Sequence, residues 1–287
     1  MQKQVKGIVL MGLGSSIIPI SDGFAKVLSE SHSALLVSSG RYFAATALLV
    51  PFALARFGRS ALPPTHRLMP HVLRTLFMVG SMTFYFMAIV TIDLATAVSA
   101  FFVGPIVGSL MAVIVLGERL TAPKVTALAL GFAGAVIIAR PGTAMSPGIL
   151  LALLAGVCFG FYLVSTRAAS GEATALQALV FQNIFGSLIL LPQAIVTWQT
   201  PSFNELLMFL AMGGIAMLCH ALSIKAFSHA DATTLAPLSY MELITSAAVG
   251  YFWFGQQPEH VVWIGAALVA SGGLVLIFTR NRSRARS

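Results

Sequence analysis

The chain is a near-continuous succession of apolar runs, separated by short breaks of polar, Pro or Gly residues. A helix that crosses a bilayer needs ~20 mostly apolar residues, because the hydrocarbon core is ~30 Å thick and a helix rises ~1.5 Å per residue. Reading the runs between breaks predicts ten spans, at 7–28, 34–56, 71–91, 95–116, 123–140, 148–167, 175–197, 206–226, 232–254 and 261–279. Ten spans occupy ~200 residues, which leaves short loops and two tails and no room for an extramembrane domain. Lys3 and Lys6 before the first run imitate a signal peptide. Asp22 and Lys26 interrupt that run, however, and no A-x-A site follows, so an uncleaved first span is expected.

Composition agrees with an all-α integral membrane protein. Of 287 residues, 57% are hydrophobic and 9% charged, where a soluble domain carries roughly 25% charge. The mean hydropathy is +0.90. A water-soluble globular domain and a disordered chain are both excluded. The formal net charge of +8 reads as a topology signal, with no nucleic-acid partner expected. On one side of the predicted spans lie fourteen basic residues: Lys3, Lys6, Arg56, Arg59, Arg67, Arg74, Arg119, Lys124, Arg167, Lys225, Arg280, Arg282, Arg284 and Arg286. The other side has Arg140 alone, while Lys26 and Arg41 fall within spans. This asymmetry places both termini in the cytoplasm and requires an even number of spans. The basic C-terminal RNRSRARS then acts as a topology anchor that touches anionic lipid. Cys158 and Cys219 sit in apolar runs and have neither disulfide nor metal-ligand spacing.

The two halves of the chain resemble each other. Asp93-Leu94-Ala95-Thr96 matches Asp231-Ala232-Thr233-Thr234 at an offset of 138, and at that offset Gly117 matches Gly255. Earlier in each half the offset is 141, where Arg41 matches Gln182, Pro51 matches Pro192, Lys26 matches Arg167 and Pro19 matches Gly160. We read a five-helix repeat over 1–144 and a second over 145–287. Five is odd, so the second copy enters the membrane from the opposite side. Inverted repeats of this kind are common in secondary transporters, because two similar halves of opposite orientation can exchange roles.

The segments PIVGSLMAVIVLGERLT (105–121) and LITSAAVGYFWFGQQPE (243–259) resemble the EamA-type drug/metabolite transporter superfamily. The hallmark is an apolar helix ending in Gly117-Glu118; the second copy departs from it with Gly255-Gln256. The resemblance covers nearly the whole chain and rests on structural motifs. It implies an exporter of amino acids or related metabolites in the bacterial inner (cytoplasmic) membrane, working by alternating access around a central cavity. The apolar, aromatic-rich helices and compact loops are most similar to the aromatic and neutral amino-acid exporter branch. No cofactor is implied.

Charges inside spans are costly and mark candidate chemistry. Glu242 is central in span 9. Its repeat mate, Gly104, precedes Pro105, which frees the carbonyl of Phe101, and Pro237 frees that of Thr233. Two related helices therefore reach mid-membrane with broken hydrogen bonding, a pointer to a transport site. Glu242 would bind a substrate ammonium or carry a proton; the alternative is a structural carboxyl bonded to a neighbouring helix. Asp22 and Lys26, four apart on span 1, share a face and can pair, as a gate or merely as a pair that permits insertion. Arg41 would attract a substrate carboxylate or pair with Asp22. His220 would relay protons, or bond a neighbouring hydroxyl or carbonyl. Pro19 is a further expected helix break.

Tyr85, Phe101, Tyr162 and Tyr240 are candidates for an aromatic pocket that accepts a bulky side chain; the default for any one of them is core or lipid contact. Trp198, Trp253 and Trp263 fit interfacial anchors. The Walker loop, H-E-x-x-H and Gly-x-Ser-x-Gly patterns are absent, so neither ATP hydrolysis nor those hydrolytic chemistries are expected. Proton coupling and uncoupled exchange both fit. Competing readings are a channel or lipid flippase of the same fold, and an intramembrane lipid-modifying enzyme, for which an acid–base constellation is lacking.

Overall fold

The computed structural model describes residues 2–62, 68–92, 94–139 and 146–255, together with 263–265, 267–268, 270–272 and 274–275 of a last helical stretch. The helices are α1 (Gln2–Leu28), α2 (Ala34–Phe57), α3 (Leu68–Thr91), α4 (Leu94–Phe101), α5 (Gly104–Leu116), α6 (Ala122–Ala139), α7 (Pro147–Ala168), α8 (Ala175–Val196), α9 (Phe203–Phe227), α10 (Ala232–Leu235) and α11 (Met241–Phe254), with a 3-10 turn over Ala236–Tyr240. Six of them are long and apolar enough to cross a membrane by themselves. Asp93, Arg67, Arg140, Gln256 and the four C-tail arginines lie outside the described residues.

Side-chain caps fix several helix starts, as Ser/Thr before an apolar run predicts. Ser33 accepts from the Leu36 amide at 3.2 Å and Ser146 from that of Ile149 at 3.3 Å. Thr174–Gln177 and Ser202–Glu205 form complete capping boxes. The related helices α5 and α11 both stop at a left-handed glycine, Gly117 (φ 65) and Gly255 (φ 64), a conformation that costs other residues energy.

Nine of the expected spans appear among the described residues, and spans 4 and 9 are interrupted as their prolines lead one to expect. Span 4 is α4 and α5, broken at Phe102–Val103, and span 9 is α10, the 3-10 turn and α11. Pro105 opens α5, and Pro237 lies at the start of the 3-10 turn. Pro19 behaves otherwise: α1 continues unbroken from Gln2 to Leu28 with Pro19 inside it. A proline removes one helical bond, but α1 is packed along its length by α9 and α11, and that packing keeps it straight enough to continue. Pro51 and Pro192 are carried inside α2 and α8 in the same way.

Packing follows a pseudo-twofold rule. Helix α1 packs on α9, and its repeat mate α7 packs on α3; α5 packs on α7, and its mate α11 packs on α1; α2 packs on its own mate α8. Two bundles result, one of α1, α2, α9 and α11 and one of α3, α4, α5, α7 and α8. Each mixes helices from both repeats. A polar seam joins α2 to α8. Thr46 donates to the Asn183 carbonyl at 2.9 Å and meets the Ser187 hydroxyl at 2.8 Å, and Gln193 donates to the hydroxyls of Ser38 and Ser39. Such bonds matter inside lipid, where no water replaces them. Val196, Phe252, Ile114 and Phe203 are among the large apolar side chains left exposed, as a lipid-facing belt requires.

Candidate functional site

A cavity with about 720 Å³ of free space, counting its open mouth, lies between the two bundles. Its wall comes from α1, α3, α4, α7, α9 and the broken span 9, plus Arg41 from α2. Glu242 sits in the first turn of α11, directly after the 3-10 turn, where the helix N-terminus favours a carboxylate. Asp22 pairs with Arg41 at 3.3 Å, their side chains 15% and 7% exposed. The break in span 9 also brings the Ser239 hydroxyl to the wall, buried and without a protein partner. Opposite these groups runs an aromatic series: Tyr85 to Phe101 at 5.3 Å between centroids, Phe101 to Phe159 at 5.0 Å, Phe159 to Tyr162 at 6.0 Å, and Tyr162 to His220 at 6.2 Å. Met11, Met78 and Met82 add adaptable side chains to the wall. The site therefore carries two carboxyl groups, one guanidinium and a run of aromatic rings tilted or stacked against one another.

Seven of the candidates named from sequence meet here: Glu242, Tyr85, Phe101, Tyr162, His220, Asp22 and Arg41. Tyr240 does not line the cavity. It is fully buried, and its hydroxyl donates to the Phe102 carbonyl at 3.0 Å. That carbonyl is left over by the break in span 4, where the Ile106 amide bonds Val103 instead, so Tyr240 braces one broken helix against the other. Lys26 is also corrected. Its ammonium lies 4.6 Å from the Phe254 ring centroid, while Asp22 takes its counter-charge from the neighbouring helix. Pro105 and Pro237 shape the breaks and stand off the wall.

Two constellations were not read from sequence. The first lies where the ends of α5 and α7 meet the α9–α10 turn. Glu118, the residue of the Gly-Glu hallmark, accepts from the Ala232 and Thr233 amides at 3.1 and 2.9 Å and from the Thr233 hydroxyl at 2.9 Å. Arg167 reaches Glu118 at 3.3 Å, Asp231 at 3.2 Å and the Phe227 carbonyl at 3.0 Å. Lys124 adds Thr233 at 2.6 Å and Asp231 at 3.6 Å. The network ties the ends of α5 and α7 in one bundle to the α9–α10 turn in the other. The signal was present in the repeat: Arg167 and Asp231 align with Lys26 and Asp93, charges retained at helix ends. The second constellation surrounds Arg74. The charge count assigned it to the loop before span 3, although it falls within the expected span 71–91; it lies in α3, which starts at Leu68, and is buried at 1% exposure. The positive-charge asymmetry loses one residue by this and keeps its sign.

A family model described as the EamA-like transporter family matches residues 5–140 and again 146–279. An S-adenosylmethionine uptake transporter of Rickettsia prowazekii is 29% identical over 92% of this chain and 90% of its own. A riboflavin transporter of Rhizobium johnstonii is 27% identical over 96% and 91%. The pseudopaline exporter CntI of Pseudomonas aeruginosa is 24% identical over 69% and 70%. A solved crystal structure superposes with a TM-score of 0.77 over 96% of this chain and 98% of its own, at 21% identity, a likeness of fold alone.

Proposed function

We propose that this chain, which belongs to the EamA-like transporter family, is a secondary transporter that carries a zwitterionic organic solute with a flat aromatic body through the central cavity. The observation that carries this reading is the composition of the wall. The Asp22–Arg41 pair and Glu242 face a run of four aromatic rings inside one space built from both repeats. Carboxylates suit an ammonium or other cation, the guanidinium suits a carboxylate, and the rings suit a planar group or a cation on their faces. An amino-acid head on an aromatic body meets all three demands. S-adenosylmethionine, the solute named for the Rickettsia relatives, joins an amino acid, a sulfonium cation and an adenine, and is our first candidate. It takes the place of a plain aromatic amino acid, for which no relative described above speaks. Direction is not inherited from the family, since these relatives include both uptake transporters and an exporter.

The positive-inside rule makes the Arg167 end cytoplasmic. Rocking of the bundles would break the Glu118–Arg167–Asp231 network and open the cavity to that side. Glu118→Gln keeps the shape and removes the charge from bonds worth about 1.5–3 kcal/mol each. It is expected to raise the reactivity of a cavity cysteine toward an impermeant thiol reagent added from the cytoplasmic face, several-fold over the parent. Equal reactivity would remove the network from gating.

Glu242→Gln is expected to insert and fold, and to lose counterflow tenfold or more or to lose its pH dependence. Unchanged transport at every pH would take Glu242 out of the mechanism. The reading as a whole is tested by counterflow in proteoliposomes, with labelled S-adenosylmethionine outside and a panel of unlabelled solutes inside. Saturable exchange restricted to zwitterions with an aromatic body is expected. No exchange with any member of the panel, in folded protein, would reject the proposed solute class. Activity on a lipid headgroup would favour a flippase.

A further inference from the structure

Arg74 is one of the largest fully buried side chains of the protein. Its Nη2 donates to the side-chain oxygen of Gln182 on α8, and its Nε has no partner. Among the described residues, no carboxylate forms an ion pair with it. The Tyr42 hydroxyl and both ring nitrogens of His71 are buried and unpartnered as well, and Tyr42 and Tyr162 stand within electrostatic reach of the guanidinium. Tyr162 also lines the central cavity, so it belongs both to the cavity wall and to the surroundings of Arg74. The repeat sharpens the contrast. Gln182 is the mate of Arg41, and Arg41 has Asp22 as counter-charge, whereas the arginine bonded to Gln182 meets a neutral amide. A buried cation without a counter-charge is costly, and it persists where a ligand supplies the partner.

We propose that Arg74, braced by Gln182 and flanked by Tyr42 and Tyr162, is a binding site for one small anionic group, on the Arg167 side of the central cavity. The group is a carboxylate of the transported solute or a small inorganic anion such as chloride. The first source rests on the transport reading above; the site itself does not. Guanidinium with two phenols and an amide gives a cationic, donor-rich cluster that suits a carboxylate or halide better than a cation.

The test uses the purified full-length protein in detergent. Its melting temperature is titrated with sodium formate and, separately, with sodium chloride, against sodium gluconate at equal ionic strength. A saturable rise of several degrees is expected with at least one small anion. It should vanish in Arg74→Gln and persist in the control Arg56→Gln. Formate active alone identifies a carboxylate site, and chloride active alone an inorganic one. Should Arg74→Gln fail to fold, Gln182→Leu frees the brace and should weaken apparent anion affinity at least fivefold, and Arg74→Lys, which keeps the charge without the fork, at least threefold. No saturable shift in the parent protein overturns the proposal, and so does an unchanged shift in the Arg74 variants. Absent counterflow alongside an intact Arg74-dependent titration would reject the transport reading and leave the anion site standing.

Discussion

Arg41→Gln is expected to abolish counterflow and to lower the stability of the folded protein by about 3–5 kcal/mol, the usual result of removing one partner from a buried ion pair. The substitution strands Asp22, which lies 3.3 Å from the guanidinium with its side chain 15% exposed. The stranded carboxylate, largely buried beside the cavity, would be left without its counter-charge. The companion change separates stability from function. Asp22→Asn combined with Arg41→Gln leaves two neutral polar groups and should recover most of the lost stability, while transport stays absent because both charges at that end of the cavity are gone. Thermal unfolding in detergent and counterflow in liposomes read the two effects independently. An Arg41→Gln protein that melts with the parent would show that the pair is not coupled in the membrane. A double variant that transports normally would move the solute's head group elsewhere.

Gly160→Leu should prevent assembly of the bundle that contains α5 and α7. A Cβ on Gly160 would stand 2.8 Å from the Gly104 carbonyl oxygen and 2.9 Å from the Gly108 amide nitrogen. A Cβ on Gly104 would in turn approach the Gly156 carbonyl oxygen at 2.7 Å. The two helices touch backbone to backbone; the Val107 side chain, also 2.8 Å from that Cβ, can turn aside, but the Gly104 carbonyl and the Gly108 amide cannot. Helix association in lipid depends on this close packing, because apolar burial supplies little drive there. A leucine forces the helices apart at a cost of about 3 kcal/mol, and it displaces the Phe101 side of the cavity with them. The yield of monodisperse protein after solubilisation should fall several-fold against the parent. A control at Leu188, an exposed position on α8, changed to Ala should leave the yield unaltered. Parental yield and melting behaviour in Gly160→Leu would contradict the packing described for α5 and α7.

Much of this was legible in the sequence, for identifiable reasons. Apolar run length is a strong signal, and nine of the expected spans coincide with described helices or helix pairs to within a few residues; the tenth falls on a stretch described only in part. Buried charges are rare enough that Asp22, Arg41, Glu242 and His220 stood out, and all four reach one cavity. Pairing was harder. Helical spacing placed Lys26 beside Asp22, but spacing is blind to the neighbouring helix, and Arg41 on α2 presents the closer cation. Tyr240 looked like a pocket residue because a phenol in mid-membrane needs a partner; its partner is a carbonyl freed by the break in another helix, a contact set by tertiary structure. Pro19 and Pro105 carry the same local chemistry, and only the second coincides with a break. Arg74 was missed because it was counted with the loop charges although the predicted span 71–91 already contained it; inside α3 its side chain is buried.

The central claim is that one cavity between two mixed bundles is reached from one face of the membrane at a time. The most direct measurement places a cysteine at Ser239, on the cavity wall, in a background with Cys158 and Cys219 changed to serine. Labelling by an impermeant maleimide is then compared from each face, with and without transported solute. With the Glu118–Arg167–Asp231 network formed, the account predicts labelling from the outer face only, and a shift toward the cytoplasmic face when that network is broken by Glu118→Gln. Equal labelling from both faces under every condition would describe an open channel and contradict the account.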